Sequence, residues 1–317
     1  MKKYLTIAFT LVIAILITAC GNVVEPSEGL KIVTTNFPGY DFARAIVGNE
    51  NQVTMLLKPG QDSHTYDPTP QDIIRINEAD IFIYTGGESD SWVDEMLKSI
   101  DNEDLVAIRM MDYVDIFKEE IIDGMQDHHH HDGHGHGHAH EHGYDEHIWT
   151  SPVNAIRLIE VIENEISELD NDNANTYQDN ANAYIKRITE IDIAIREVIA
   201  NSERTELIFG DRFPFRYFVE EYNLTYYAAF PGCSSETEAS AQTIAFLVDK
   251  VKENNIPVVY HIELSNTNIV NTIADETGAK VLQLHSVHNL TDTDFAEGKT
   301  YADFMEENIQ NLKEGLQ

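Results

Sequence analysis

Residues 174–200 read ANTYQDNANAYIKRITEIDIAIREVIA. Tyr177, Ala181, Tyr184, Ile188, Ile191, Ile195 and Val198 recur at helical spacing, with no proline or glycine to break the run. At 1.5 Å of rise per residue this is roughly 40 Å of helix. That is longer than an ordinary domain helix needs, and it predicts a stiff spine between two lobes. A second amphipathic pattern precedes it, from Val153 to Leu169, and pauses at Asp170-Asn171-Asp172-Asn173. Ser151 is placed to cap that helix, and Pro152 occupies its first turn.

On either side of the spine the chain alternates strands with helices. Before it, Leu30–Thr35, Val53–Leu57 and Ile81–Tyr84 are apolar, β-rich runs. Helical patterns over Gly39–Val47, Pro70–Glu78 and Trp92–Ile100 separate them. After it, strands are expected at Leu207–Phe209, Thr225–Phe230, Pro257–His261 and Lys280–Leu284. Helices are expected at Phe215–Tyr222, Ser240–Asn254, Ile269–Thr277 and Tyr301–Leu312. Such alternation means parallel sheets. The expected fold is therefore α/β: two similar lobes with parallel sheets, joined by one long rigid backbone helix. The expected organisation is an N-terminal lobe over 30–150, a helical region over 151–203 and a C-terminal lobe over 204–317. A ligand cleft belongs between the lobes, where strand ends face each other.

The first twenty residues bear on compartment. Lys2 and Lys3 precede an apolar stretch from Leu5 to Ile17 that is too short to span a bilayer comfortably. Small residues then lead to Cys20. This is the layout of a bacterial lipoprotein signal: residues 1–19 removed, Cys20 lipidated, and residues 20–29 left as a tether to the membrane. Cys233 is the only other cysteine, so a lipidated Cys20 would leave no intramolecular disulfide, and core burial must stabilise the fold. A formal charge of −34 argues against nucleic acid and anionic lipid headgroups as partners.

Between Asp127 and Gly143 the chain reads DHHHHDGHGHGHAHEHG, within a predicted loop spanning 124–143. It holds nine of the fourteen histidines: His128, His129, His130, His131, His134, His136, His138, His140 and His142. Imidazole nitrogen is accepted by zinc, copper, nickel and iron. Three interspersed glycines deny the stretch a regular helix, so the reading is a ligand-dense accessory loop that gathers ions weakly.

Four further positions stand at strand ends or helix starts: His64, His147, Asp211 and Glu263. Imidazoles and carboxylates converging from such loops can form a near-tetrahedral zinc site, or a roomier one for manganese. Each also has an ordinary reading. A single histidine is commonly a satisfied loop or core residue, Asp211 beside Arg212 suits an ion pair, and Glu263 suits a surface carboxylate. His261, His285 and His288 are the remaining candidates.

Several motifs together resemble the zinc/manganese substrate-binding lipoproteins of ABC importers. They are the lipobox, SHTYDPTPQD at 63–72, IFIYTGGESDSWVDEML at 81–97, DEHIWTSP at 145–152 and ADETGAKVL at 274–282. The match covers essentially the whole mature chain, in order. The resemblance implies His64 as first ligand, His147 as second (with Glu146 where the family motif has proline) and Glu263 as last. For the third ligand the family has a histidine where this chain has Arg212, and Asp211 is the nearest substitute. His64, His147, Asp211 and Glu263 would make a manganese-like set, whereas the histidine-rich loop is similar to that of the zinc subgroup. The expectation adopted is a zinc receptor, lipid-anchored outside the cell membrane, that delivers its ion to an ABC permease. A manganese receptor of the same family and a surface adhesin or metal-sequestering lipoprotein are the alternatives. A metallohydrolase is disfavoured because no H-E-x-x-H motif is present.

Overall fold

The apolar run at residues 30–35 becomes the first strand of the N-terminal sheet. The computed structural model describes residues 29–49, 52–125, 143–234 and 238–317. β1 (Ile32–Thr34) lies between β2 (Val53–Met55) and β3 (Ile81–Tyr84), and β4 (Val106–Arg109) completes the sheet in the order β2-β1-β3-β4. All three pairings are parallel. β4 is a strand the sequence pattern does not announce. It is an edge strand with Ala107 and Arg109 exposed, and its apolar run Leu105-Val106-Ala107-Ile108 is short and ends at once in Arg109. α1 (Phe37–Val47), α2 (Pro70–Asn77) and α3 (Val93–Leu97) follow β1, β2 and β3. α2 starts with a full capping box in which Thr69 and Asp72 satisfy each other's backbone N–H groups.

Two helices leave this half: α4 (Pro152–Leu169), capped by Ser151 as expected, and the spine α5 (Ala174–Ala200). Tyr177, Ala181, Ile188, Ile191 and Ile195 are its buried residues, on the predicted stripe. The spine is stitched to both halves by polar side chains. Asn180 donates to Ile46 O of α1 at 2.9 Å, and Tyr184 donates to the buried carboxylate of Asp41, also on α1. Asp192 accepts from Tyr222 at 2.8 Å, on the C-terminal side.

The C-terminal sheet repeats the architecture. β5 (Glu206–Phe213), β6 (Thr225–Pro231), β7 (Val258–His261) and β8 (Lys280–Gln283) are parallel and ordered β6-β5-β7-β8. With α6 (Arg216–Tyr222), α7 (Ala241–Asn254) and α8 (Asn268–Thr277) between them, this is the strand order of the first sheet over again. Leu247, Val251, Val259, Val270 and Ile273 form the core of this half. β5 departs from expectation. It does not stop at Phe209 but runs through Asp211 to Phe213, with its register against β6 shifting between Phe209 and Arg212. Gly210 permits this, because a Cβ there would lie 2.6 Å from Val270 Cα on α8.

α9 (Asp292–Ala296) and α10 (Tyr301–Leu316) end the chain. α10 closes the molecule back on itself. Arg187 of the spine donates to Asp303 at 2.7 Å and to Glu306 at 2.8 Å, and Phe304 packs edge-on against Phe37 of α1. Residues 31–317 form one compact unit. Among the described residues no helix is long and apolar enough to cross a membrane. The signal segment 1–19, Cys20 and the histidine run 128–142 lie outside the described residues.

Candidate metal centre

The Pro59-Gly60 turn after β2 leads into a 3-10 turn, Ser63–Thr65, that presents His64. The Asp62 carboxylate caps this turn by accepting from His64 N at 2.9 Å. His147 sits immediately before the 3-10 turn Ile148–Thr150 that leads into α4. It is 1% exposed, and Asp145 Oδ1 accepts from both its backbone N (2.8 Å) and its Nδ1 (3.0 Å). His288 comes from the segment after β8. The backbone there turns through Val287 at φ +59°, a conformation that costs a β-branched residue about 1–3 kcal/mol.

These three rings meet. Their centroids are 5.9 Å (His64–His147), 5.5 Å (His64–His288) and 5.1 Å (His147–His288) apart. One ring nitrogen from each lies within 4.8 Å of the others, the only such metal-ready group among the described residues. Each Nδ1 has a partner: Ser89 Oγ at 3.0 Å for His64, Asp145 for His147, and Ser63 Oγ at 3.4 Å for His288. That leaves each Nε2 for a metal, with ring orientation and tautomer set by the neighbour. The cavity at the cluster has a volume of about 70 Å³ and draws its walls from both halves, including Gly60, Asp62, Arg212, Gly232 and Glu263.

Electrostatics favour unprotonated ligands at two of the three positions. Burial, and then the charge that His147 can carry, pushes His64 down to about 4 and His288 well below its usual value. Burial works against a charged His147 too, but the Asp145 carboxylate, with Glu146 and Glu119 behind it, outweighs this and raises it. Two of the three imidazoles are therefore held neutral, and a cation binding at His147 displaces the additional proton that Asp145 favours there.

The other predicted residues are placed as follows. Glu263 lines the cavity, 8% exposed, but its oxygens are taken. Oε2 accepts from Ser286 N at 2.7 Å, and Oε1 from Ser286 Oγ at 2.6 Å and His288 N at 3.2 Å. The strained turn at Val287 is what aims those two N–H groups at one carboxylate, and the same turn presents His288. Asp211 is not brought into the cluster. Within β5 its Oδ2 accepts from Ile262 N at 3.0 Å and from Ser265 Oγ, and its Oδ1 from Arg212 N at 2.8 Å. His261 bonds its neighbour's carbonyl through Nδ1 at 2.9 Å. His285 faces α10, against Phe304 and Glu307. Arg212 does reach the cavity, where it joins the halves by donating to Asp62 at 3.0 Å and to Ser234 O at 3.1 Å. Burial pushes the Asp62 carboxyl upward, but Arg212 and the His64 N–H hold it below its ordinary range.

Sequence reasoning holds His288 only in reserve, because nothing in LHSVHNL says which histidine of the two turns inward. Replacing Glu263 with glutamine should loosen the turn that carries His288. Zinc affinity should fall by about 10–100-fold, the usual effect of losing a ligand's supporting contact. Competition against a chromogenic chelator would measure it, and an unchanged affinity would mean that the turn holds without the carboxylate.

Two parallel-sheet halves clasping a three-imidazole cluster define a two-lobed metal-binding receptor. Comparison with known proteins gives the family. Residues 32–315 match the family model described as zinc-uptake complex component A, periplasmic, and the chain belongs to that family. The high-affinity zinc uptake system protein ZnuA of Bacillus subtilis is 32% identical over 308 residues, covering 95% of this chain and 94% of that protein. The zinc-binding lipoprotein AdcA of Streptococcus pneumoniae is 30% identical over 315 residues, 99% of this chain, and the chain spans 61% of that relative's length. The Zn(II)-bound crystal structure of the ZnuA-like domain of pneumococcal AdcA superposes with a TM-score of 0.73, at 29% identity, over 91% of this chain and 99% of that one.

Proposed function

We propose that this protein is an extracytoplasmic receptor that captures Zn²⁺ at His64, His147 and His288 and delivers it to the permease of an ABC importer. The observation that carries this reading is the donor set: three imidazole nitrogens within 4.8 Å of one another, with no carboxylate among them. Imidazole suits zinc, whereas manganese favours oxygen donors. The conflict left by the sequence, between a manganese-like set of two carboxylates and a zinc-type loop, is thereby eased toward zinc. Three protein ligands leave a fourth position facing the cavity for water, so the ion can enter and leave without displacing a side chain. The names of the relatives support the same ion, and the lipoprotein names support an anchor at Cys20.

The histidine run at 128–142 acts in this reading as a collector of ions for the cluster. Calorimetry tests both roles. The full chain should bind one Zn²⁺ tightly and further ions weakly, with Mn²⁺ far weaker at the tight position. Deleting residues 128–142 should remove the weak phase and leave the tight one. Loss of the tight phase on deletion would place the high-affinity ion in the loop, and tighter Mn²⁺ than Zn²⁺ would overturn the choice of metal.

A further inference from the structure

Beside the histidine cluster lies a second, smaller cavity of about 20 Å³, at the C-terminal ends of β1 and β3. It shares Ser63 and His288 with the larger cavity as common walls. Its own chemistry is different, because apart from Leu57 and His288 its walls are residues that carry side-chain oxygens. Asp90 is 8% exposed and Glu146 1%. One oxygen of each is fixed by backbone: Asp90 Oδ2 accepts from Thr85 N at 2.7 Å and Gly86 N at 3.1 Å, and Glu146 Oε1 accepts from Ser89 N at 2.7 Å. A third wall is Thr35, 6% exposed, whose Oγ1 is buried beside Asp90 without a hydrogen bond of normal geometry.

Two carboxylates buried in one pocket repel each other, and each loses hydration. The charge that Asp90 feels most from a neighbouring side chain is that of Glu146 itself. A divalent cation is the ligand that balances two negative charges at once. The donors are carboxylate and hydroxyl oxygen, so the cation is a hard one. A pocket this small disfavours Ca²⁺, which takes 6–8 oxygens at longer distances, and a smaller divalent ion would complete its shell from the neighbouring oxygens of Asn36, Ser63, Tyr66 or Thr85. We propose that Asp90, Glu146 and Thr35 form a second metal site, selective for a small hard divalent cation, adjoining the histidine cluster. The orphaned Thr35 hydroxyl is its third protein ligand, and Ser63 is the partition between the two ions.

Mn²⁺ is the probe, because bound manganese is silent or broadened where the aqueous ion gives a sharp six-line paramagnetic resonance spectrum. The full chain is first loaded with one equivalent of Zn²⁺, which occupies the tight imidazole cluster, and then titrated with Mn²⁺. The expected result is one retained Mn²⁺ per chain. Asp90→Asn and Glu146→Gln, each nearly isosteric, should abolish its retention, and Thr35→Val, which leaves the charges intact, should weaken it. No retained Mn²⁺ in the wild type carrying one equivalent of Zn²⁺ would overturn the proposal. So would Mn²⁺ retained equally by Asp90→Asn and Thr35→Val, which would put the ion elsewhere. Thermal melts of the three variants keep a folding defect distinct from a lost site. If a carboxylate variant fails to fold, Thr35→Val decides the matter alone, since wild-type retention in that variant would remove the hydroxyl from the site.

Discussion

Replacing His288 with alanine is expected to cost this protein its tight zinc binding, with affinity falling by about 10²–10³-fold. Structural zinc sites with four protein ligands bind with roughly 10–16 kcal/mol, or about 2.5–4 kcal/mol per ligand. Each 1.4 kcal/mol is about tenfold in affinity. Two imidazoles would remain, and two seldom hold zinc against buffer. The companion variant, Asp211→Ala, should behave differently. Its carboxylate bonds Ile262 N, Ser265 Oγ and Arg212 N, so its loss should lower stability and leave zinc affinity within a few-fold of wild type. Competition titrations on both variants, with thermal melts alongside, separate the two residues. If Asp211→Ala lost the metal and His288→Ala kept it, the assignment of the third ligand would be reversed.

The largest effect on stability is expected from Asp41. Its side chain is fully buried on α1 and accepts from three donors. They are Arg44 Nε at 2.9 Å, the Tyr184 hydroxyl of the spine, and Tyr301 N of α10 at 3.0 Å, with Arg44 Nη2 in ion-pair contact at 2.8 Å. One carboxylate thus ties the N-terminal half, the spine and the C-terminal helix at a single point. Asp41→Ala leaves the Arg44 guanidinium, only 11% exposed, without its counter-ion, and orphans two further donors. Breaking a buried pair in this way costs about 3–5 kcal/mol. For a chain of this size that lowers the melting midpoint by roughly 10 °C. Asp41 does not line the metal cavity, so zinc should still bind below the transition. A variant melting within a degree or two of wild type would show that the hub contributes no net stability.

Much of this is legible in the chain. The spine, its flanking helix and seven of the eight strands follow from apolar periodicity and cap residues, which are local properties. β4 is missed although Leu105-Val106-Ala107-Ile108 is apolar, because so short a run does not distinguish a strand from a turn of helix. The extension of β5 escapes because Gly210 looks like a stop in sequence, and only the closeness of α8 shows it to be a point of contact. His64 and His147 are legible from their turns. The third member is not, because His288 is aimed by a backbone reversal at Val287 and by Glu263, which lies 25 residues away. Glu263 reads as a ligand because a carboxylate after a strand looks the same in sequence whether it binds an ion or an N–H group.

Both sheets run their strands in one order, so the loops after β2, β5, β6, β7 and β8 all open on the same small cavity. The scaffold thereby separates the inheritance of a fold from the inheritance of a ligand. Arg212, at the end of β5, and His288, from the β8 loop, reach the same cavity from different strands, so a ligand can be supplied from either place with no strand moved. Exchanging single residues at these strand ends can change the ion while the core positions stay as they are. Kinship with a zinc receptor therefore fixes this protein's architecture more firmly than its coordination sphere, and each descendant's ion has to be established by its own loops.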